Sequence, residues 1–587
     1  MQNKGKDTTA TTSLIDAFAI KINGTEIAPE TRRLLIGAQI DTDLAQPAMF
    51  VLRFHDSDFE LIDSTTFTIG DDVTIAASDH SGTVKPIMNG EITALEPVLS
   101  QRSQMLLVRG YDRSHRLQRG HRTRTFLKQG DADIVGQIAR ETGLRAEAEG
   151  GSERYDYVIQ DNQTDLAFLR ERAARIGYQV GVEQKTLRFR RAAQQPEQSA
   201  TLAWGQTLLE FQLRMTALGQ PNEVQVRGWD PAAKRPVVGS ASRPAEPSKI
   251  GESKGGGAVA QQAFGTAAKL VCTDQPVHTQ SEANALAQAV LDQRAGDYLQ
   301  AEGRCLGEPA LTPGTLVEIT GLGRRLSGQY FVTAVRHTFT PADGYISTFF
   351  VRGQRPTGLT AAMVGGPPRS RIHGVVIGIV TTINDPDALG RIKVKFPWLD
   401  EGQESDWARV AAPGAGKARG HYSLPEVDDE VLVAFEQGDM SRPYIIGGLW
   451  NGKDTPPAGQ VKNGSVQARG ITARSGHALV FQEQGGGGDG GIALTTKGGH
   501  TITISDTDKG ITVASKSHTI HLDDRGRAVT IESGGDIEIA GSGGKLTITA
   551  QGIEIAGNGG KLAIAPQGVE LVSSTQLTVQ GALVKIN

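Results

Sequence analysis

The tail of the chain alternates apolar and polar residues in short runs that recur every eight positions. From Val529 it divides into VTIESGGD, IEIAGSGG, KLTITAQG, IEIAGNGG, KLAIAPQG, VELVSSTQ, LTVQGALV and a final KIN. Residues 537–552 and 553–568 are a duplication, identical at 12 of 16 aligned positions. Strict alternation predicts strands, whose side chains point to opposite faces in turn. Ile537, Ile539, Ile553 and Ile555 therefore share one face, and Glu554 lies on the other. A fixed period this short marks a quasi-one-dimensional repeat, not a globular core. Each run is too short to be stable alone, and Gly543-Gly544 and Gly559-Gly560 permit sharp corners. The pattern predicts a triangular prism of three chains about one axis. Each rung would pair with a neighbouring chain, and Ile537, Ile539, Ile553 and Ile555 would form the needle core. A single-chain β-helix is the alternative and usually needs a longer repeat. At ~4.8 Å per rung, about 14 rungs after residue 470 would give a needle on the order of 65 Å. Gly485 to Gly488 would loop out of it.

Upstream, the same reading divides the chain into blocks. Residues 1–13 are polar and read as disordered. From Leu14 come strand-like runs (FAIKING, ETRRLLIGAQI, AMFVLRFHDSD, DDVTIAASD, NGEITALEPVL, QMLLVRGYD), with turn signals at Asn23-Gly24 and Asn89-Gly90. They predict a β-barrel over 14–112. Helical spacing then appears over 113–200. DADIVGQIARETG is capped by Asp131 or Asp133 and ended by Gly143; TDLAFLRERAARIG runs from a Thr164-Asp165 cap to Gly177. A second strand-rich barrel spans 201–353, with one helix (SEANALAQAVLDQRAG) and a Pro/Gly/Ser-rich excursion from about Pro231 to Gly257. Residues 354–370 read as a linker, 371–457 as a compact β domain, and 458–587 as a second linker followed by the repeats.

Composition removes several function classes. The 61 basic and 65 acidic residues leave a net charge of −4, so charge gives no reason to expect nucleic acid or an anionic membrane as partner. Cys272 and Cys305 are the only cysteines, which excludes a disulfide framework and a four-thiolate metal site. The first residues lack a signal peptide's apolar core, so synthesis in the cytoplasm is expected. Apolar stretches such as Val375 to Val380 are strand-length and too short to span a bilayer.

Residues 371–457 carry a family resemblance. Its motifs are Gly390-Arg391-Ile392-Lys393-Val394-Lys395-Phe396-Pro397-Trp398, Trp407-Ala408-Arg409-Val410, Leu424-Pro425-Glu426-Val427 and Gly438-Asp439-Met440-Ser441-Arg442-Pro443. Together they resemble the OB-fold of the VgrG and phage baseplate hub-spike family of contractile injection systems. Gln163 to Leu169, with Gly177-Tyr178, resembles the helical part of the late-control D-like head. The octads resemble the triple-stranded β-helix needle, so nearly the whole chain is covered in the family's domain order. The resemblance implies a mainly β, multidomain fold. Its parts are two β-barrel hub domains with a small α/β insertion, an OB-fold barrel and a C-terminal intertwined trimeric β-helix. It implies a homotrimeric structural spike that adapts a hexameric inner tube to a threefold needle. The spike would sit among baseplate proteins, carry a PAAR-type tip protein and contact a target membrane transiently. An extracellular injection system, a type VI apparatus and a phage tail all use this architecture.

Candidate chemistry is sparse. Gly251-Glu252-Ser253-Lys254-Gly255 matches a nucleophile elbow, but its Pro/Ser/Gly surroundings lack the required strand-turn-helix context. Gly414-Ala415-Gly416-Lys417 lacks the earlier Gly and the following Ser or Thr of a P-loop. His518 and His521, three apart on a strand, fall on opposite faces and cannot share one metal within a chain. Asp523-Asp524 reads as a surface turn. There is no room for a fused catalytic domain between Trp450 and the repeats. No enzyme, cofactor or metal is expected. The competing class, a tailspike-like adhesin or polysaccharide-active protein, would want aromatic platforms along the prism. Residues 463–587 hold no Trp or Tyr and only Phe481. The blunt end at Val584, Lys585, Ile586 and Asn587 is expected to be the tip-docking surface, since it leaves strand edges and apolar side chains open.

Overall fold

The computed structural model describes residues 18–79, 81–101, 103–150, 153–191, 196–245, 247–353, 372–457, 461–483 and 490–585. The N-terminal segment, the 354–370 linker and the Gly485 to Gly488 insertion, each singled out in the sequence, lie outside these residues. The chain forms two compact units, 1–449 and 450–587. It is mainly β and built from several sheets.

The strands expected before Asp112 form, and alternation puts Ile40, Phe50, Leu52, Phe54, Ile75 and Val108 into one buried core. The two hub blocks are not separate barrels. They share one eleven-stranded sheet, in the order Leu208–Met215, Leu299–Leu306, Gly344–Val351, Ala334–Thr340, Leu35–Asp43, Met49–His55, Ser103–Tyr111, Val84–Ser100, Asp72–Ser78, Phe18–Ile22 and Thr25–Glu26. The blocks join where Ala334 lies opposite Asp43 and His337 opposite Ile40. No ladder closes either block among the described residues, which corrects the barrel expectation. The first block contributes seven antiparallel strands on one side of the join and the second block four on the other.

Two turn signals fare differently. Asn23 and Gly24 both take positive φ between paired strands, as a tight hairpin requires. Asn89 and Gly90 instead lie inside the 17-residue strand Val84–Ser100. A Cβ at Gly90 would stand 2.3 Å from the Tyr111 carbonyl oxygen. Glycine is there for close strand approach, not for a turn.

The helices follow their caps. Thr164 accepts from the Ala167 amide at 3.2 Å, and Gly177 ends that helix at φ 71°. Asp131–Glu141 starts one residue earlier than expected. Gly130 is the cap, and Asp133 accepts its amide at 3.1 Å. Asp131 is buried inside the helix and accepts from Arg172 at 2.7 Å. The 231–257 excursion holds a strand, Arg235–Ala241, and leads into a helix, Gly256–Phe264, that composition masked.

Residues 375–448 form a six-stranded sheet: Asp400–Glu404, Lys393–Phe396, Val375–Thr382, Glu430–Phe435, Pro443–Gly448, Arg409–Val410. A lone antiparallel bridge between Ile392 and Ala408 draws it around a core of Val380, Val394, Phe396, Val431, Val433 and Ile445. Ile159 of the hub enters this core. Polar groups fasten the same junction. Thr125 donates to Gln403 at 2.8 Å, Tyr157 to the Glu404 carbonyl at 3.0 Å and Gln437 to the Thr273 carbonyl at 2.7 Å. Glu282 takes Arg175 at 2.5 Å and lies 3.7 Å from Arg442, while Asp439 lies 3.9 Å from Arg175. The domain is thus held to the hub by apolar burial and by low-exposure ion pairs, which weaken steeply when one partner is removed.

Candidate assembly surfaces

The second unit shows what an octad is. Gly544–Thr549, Gly552–Gly557, Gly560–Ala565 and Gly568–Ser573 are six-residue strands. The residues between them are two-residue turns: 550–551, 558–559 and 566–567. Six plus two gives the period of eight, and each 16-residue copy is one hairpin pair. This corrects the expectation that every rung pairs with a neighbouring chain. Ile537–Gly541 and the four strands after it form one five-stranded antiparallel ladder within the chain. Gly543 and Gly559 sit in hairpin turns and not at prism corners. A seven-stranded ladder, Ala468–Thr472 through Ala528–Ser533, repeats the same meander upstream. Backbone groups along both ladders are satisfied by in-chain neighbours, so edge pairing does not force association.

The side chains do leave something unsatisfied. In the five-stranded sheet, Ile537 stands opposite Ile548, then Ile553, Ile564 and Val569. Beside them run Ile539, Leu546, Ile555, Leu562 and Leu571. Both columns lie on one face. The upstream sheet continues the pattern with Leu479, Leu494, Ile502, Val513, Ile520 and Ile531, flanked by Phe481, Ile492, Ile504, Ile511, Leu522 and Val529. Of the four expected needle-core residues, Ile537 is half-buried, while Ile539, Ile553 and Ile555 remain 55%, 39% and 50% exposed. Exposed apolar columns of this length on each sheet are the kind of surface that marks an interaction site. Sequence reading named only four positions of the columns. The signal for the others, the same alternation from residue 478 onward, was already present.

The opposite face is polar. Lys545 meets Glu538 at 2.7 Å, and Lys561 meets Glu554 and Glu570 at 3.2 Å each. These carboxylates raise both lysines above their usual range, through hydrogen bonds first and charge second. The pairs are solvated and set the face rather than its stability.

The histidines separate as alternation requires. His518 shares the face of Ile520 and Leu522 and bonds Ser533 at 2.7 Å; His521 lies on the other face and bonds Thr512 at 2.9 Å. Among the described residues no group of three or more His, Cys, Asp or Glu could hold a metal within the chain. Asp523 accepts from the Gly526 amide at 2.8 Å, closing a surface turn. Around Ser253, contrary to expectation, a short strand (Lys249–Ile250) precedes and a helix (Gly256–Phe264) follows. Ser253 is nevertheless exposed, and no His hydrogen-bonds it among the described residues. Gly251 is required by packing, since a Cβ would stand 1.8 Å from the Arg324 carbonyl oxygen. Gly414 to Lys417 opens a small hairpin, Ala415–Gly416 with Arg419–Gly420, and no helix follows it.

At the C-terminal end the last strand stops at Ser573. Leu577, Val579, Leu583 and Val584 follow without strand pairing and stand exposed, Val584 at 49%. The run LTVQGALV therefore does not form an octad strand in the single chain. Lys585 is exposed, and Ile586 and Asn587 lie outside the described residues.

A curved OB sheet, a hub of two joined blocks and an apolar-faced meander define a hub-and-spike class of protein. Residues 12–341, more than half of the chain, match the family described as the Alg8 N-terminal domain, and residues 376–450 match the Type VI secretion system/phage-baseplate injector OB domain. The chain belongs to the Alg8 N-terminal domain family and to the VgrG and phage baseplate hub-spike proteins. It is 31% identical over 198 residues to the type VI secretion system spike protein VgrG5 of Pseudomonas aeruginosa, covering 29% of this chain and 25% of that protein. It is 34% identical over 98 residues to the actin cross-linking toxin VgrG1 of Vibrio cholerae, covering 15% of this chain and 9% of that one. The chain thus spans a quarter or less of either relative. A Francisella PdpA–VgrG complex structure is similar at 9% identity and TM-score 0.49, covering 85% of this chain and 80% of that one.

Proposed function

We propose that this chain is the structural central spike and hub of a contractile injection machine, whether an extracellular injection system, a type VI apparatus or a phage tail. The role is mechanical, not enzymatic. Three copies close their apolar faces against one another about a threefold axis. The observation that carries this reading is the pair of apolar columns running through eleven strands and left half-exposed in one chain. Three faces turned inward bury those columns, and the Glu/Lys/Thr faces remain in water. Stacked end to end, eleven strands at ~4.8 Å span roughly 50 Å. With in-chain ladders, each chain forms one wall of the prism instead of winding through all three. The two joined strand blocks of the hub sheet support the other half of the reading. Three copies present six such blocks, a number suited to a hexameric inner tube, with baseplate proteins around the hub.

Multi-angle light scattering at physiological salt is expected to give three times the chain mass, at micromolar concentration and below. A folded monomer there refutes the reading.

The unpaired segment after Ser573 is the proposed seat of a PAAR-type tip protein. Its exposed Leu577, Val579 and Val584 offer apolar contacts, and its backbone lacks ladder partners, so a cap can supply both. Deleting residues 577–587 is expected to abolish tip-protein capture in a pull-down while the scattering mass stays trimeric. Retained capture by the truncated trimer places the docking site elsewhere. Among the described residues no helix is long and apolar enough to cross a membrane. Contact with a target envelope is therefore proposed as transient, made by the assembled needle.

A further inference from the structure

The OB domain carries an arm with no home in its own chain. Residues 411–423 are exposed without a break. The arm leaves the sheet where the Ala411 amide donates to the Ile445 carbonyl at 2.8 Å. Beyond that point its regular contacts are its own: Ala415 opposite Gly420, Gly416 opposite Arg419, and the His421 amide donating to the Gly414 carbonyl at 2.9 Å. Tyr422 is 81% exposed beside the Gly390 turn. Lys417 and Arg419 at the hairpin tip meet no carboxylate among the described residues. Only the hairpin's own backbone bonds offset the entropy of ordering it among the described residues, and its cations and aromatic ring add nothing there.

The same domain carries a complementary strip. Asp400–Glu404, sequence DEGQE, is the edge strand at one end of the six-stranded sheet; Arg409–Val410, which leads into the arm, is at the other. Among the described residues Glu401 is exposed and has no ion pair, and Glu404 has only Lys393 at 3.8 Å. Basic arm and acidic strip thus lie on different strands of one sheet, and among the described residues no ion pair joins them within the chain. Two different surfaces that match in charge make a heterologous contact, and rotation about a closed axis repeats it into a ring.

We propose that the arm 411–423 reaches onto the OB domain of the next copy of this chain, where Lys417 and Arg419 seat against Glu401 and Glu404. The arms then form a collar of three identical contacts, independent of the apolar needle faces. The inference rests on the trimer reading and adds to it which surface of one hub engages which surface of its neighbour.

The test uses the full chain. Arg419→Cys and Glu401→Cys in one polypeptide are expected to give covalent dimers and trimers on non-reducing denaturing gels, above the background of the wild-type chain. Either substitution alone gives none. In parallel, Lys417→Glu with Arg419→Glu is expected to speed subunit exchange between labelled trimers roughly tenfold, and adding Glu401→Lys with Glu404→Lys restores it. A wild-type chain that scatters as a monomer overturns both this inference and the trimer reading. A trimer whose cysteine pair never cross-links between chains, or whose exchange is indifferent to charge reversal, overturns the arm alone.

Discussion

Ile555→Asp is expected to abolish trimer formation while leaving the single chain folded, and Glu554→Ala to change neither. In one chain Ile555 is half exposed, so an aspartate there stays solvated and the in-chain ladder persists through its backbone bonds with Leu546 and Leu562 neighbours. In the proposed trimer the same position would turn toward the axis, and three carboxylates would meet in an apolar channel. An unpaired buried charge costs several kcal/mol per site, and the three sites repel one another as well. Glu554 lies on the outer face, paired with Lys561 at 3.2 Å in water, so its removal is nearly silent. Light scattering reads the mass and circular dichroism the fold. Equal effects from both substitutions would mean the faces are reversed. A normal trimer from Ile555→Asp would take the apolar columns out of the interface.

The second large effect is expected at Glu91, which lies in the hub sheet and is 3% exposed. Its carboxylate receives Arg113 at 3.0 Å, His115 at 2.8 Å and Arg116 at 2.8 Å. Burial alone would raise its pKa. The hydrogen bonds from Arg116, His115 and Arg113 together outweigh burial and hold it down at about 2. Glu91→Gln keeps the shape but leaves two guanidinium groups and the His115 ring around a neutral amide. Breaking a buried pair in this way costs about 3 kcal/mol. Calorimetry is expected to show a clear fall in Tm for the hub transition. The pH dependence has a defined sign. A carboxylate depressed in the folded state stabilises fully above its unfolded pKa, near 4.5, and that contribution is lost as pH falls toward about 2. The gap between wild type and Glu91→Gln should therefore be constant above pH 5 and shrink below 4.5. A gap that does not change with acid would mean that the charge on Glu91 is not what matters.

The places where sequence reading failed share a cause. Octad length fits two structures, because a six-residue strand plus a two-residue turn advances the chain as far as a prism rung plus a corner. Glycine at 543 and 559 satisfies both, so only the observed ladder decides between hairpin and winding. Asn89-Gly90 has turn chemistry, but the Tyr111 carbonyl lying against Gly90 turns the glycine into a spacer. The loop around Ser253 looked unstructured by composition, yet pairing of Lys249–Ile250 with Gly328–Phe331, about 80 residues away, gives it a strand.

What the sequence determined alone is local and periodic. Alternation set which side chains share a face of each strand, and the structure keeps Ile537, Ile539, Ile553 and Ile555 on one side and Glu554 on the other, because the side-chain period of a strand is fixed by the backbone. Thr164 and Gly177 marked a helix, since capping is satisfied within a few residues. The tertiary structure decided what depends on distant pairs. It joined the two hub blocks through Ala334–Thr340 against Leu35–Asp43, sent Ile159 into the OB core, and set Glu282 between Arg175 and Arg442. Each of these contacts spans a hundred residues or more. No local pattern encodes such a partner, and only packing the whole chain selects it.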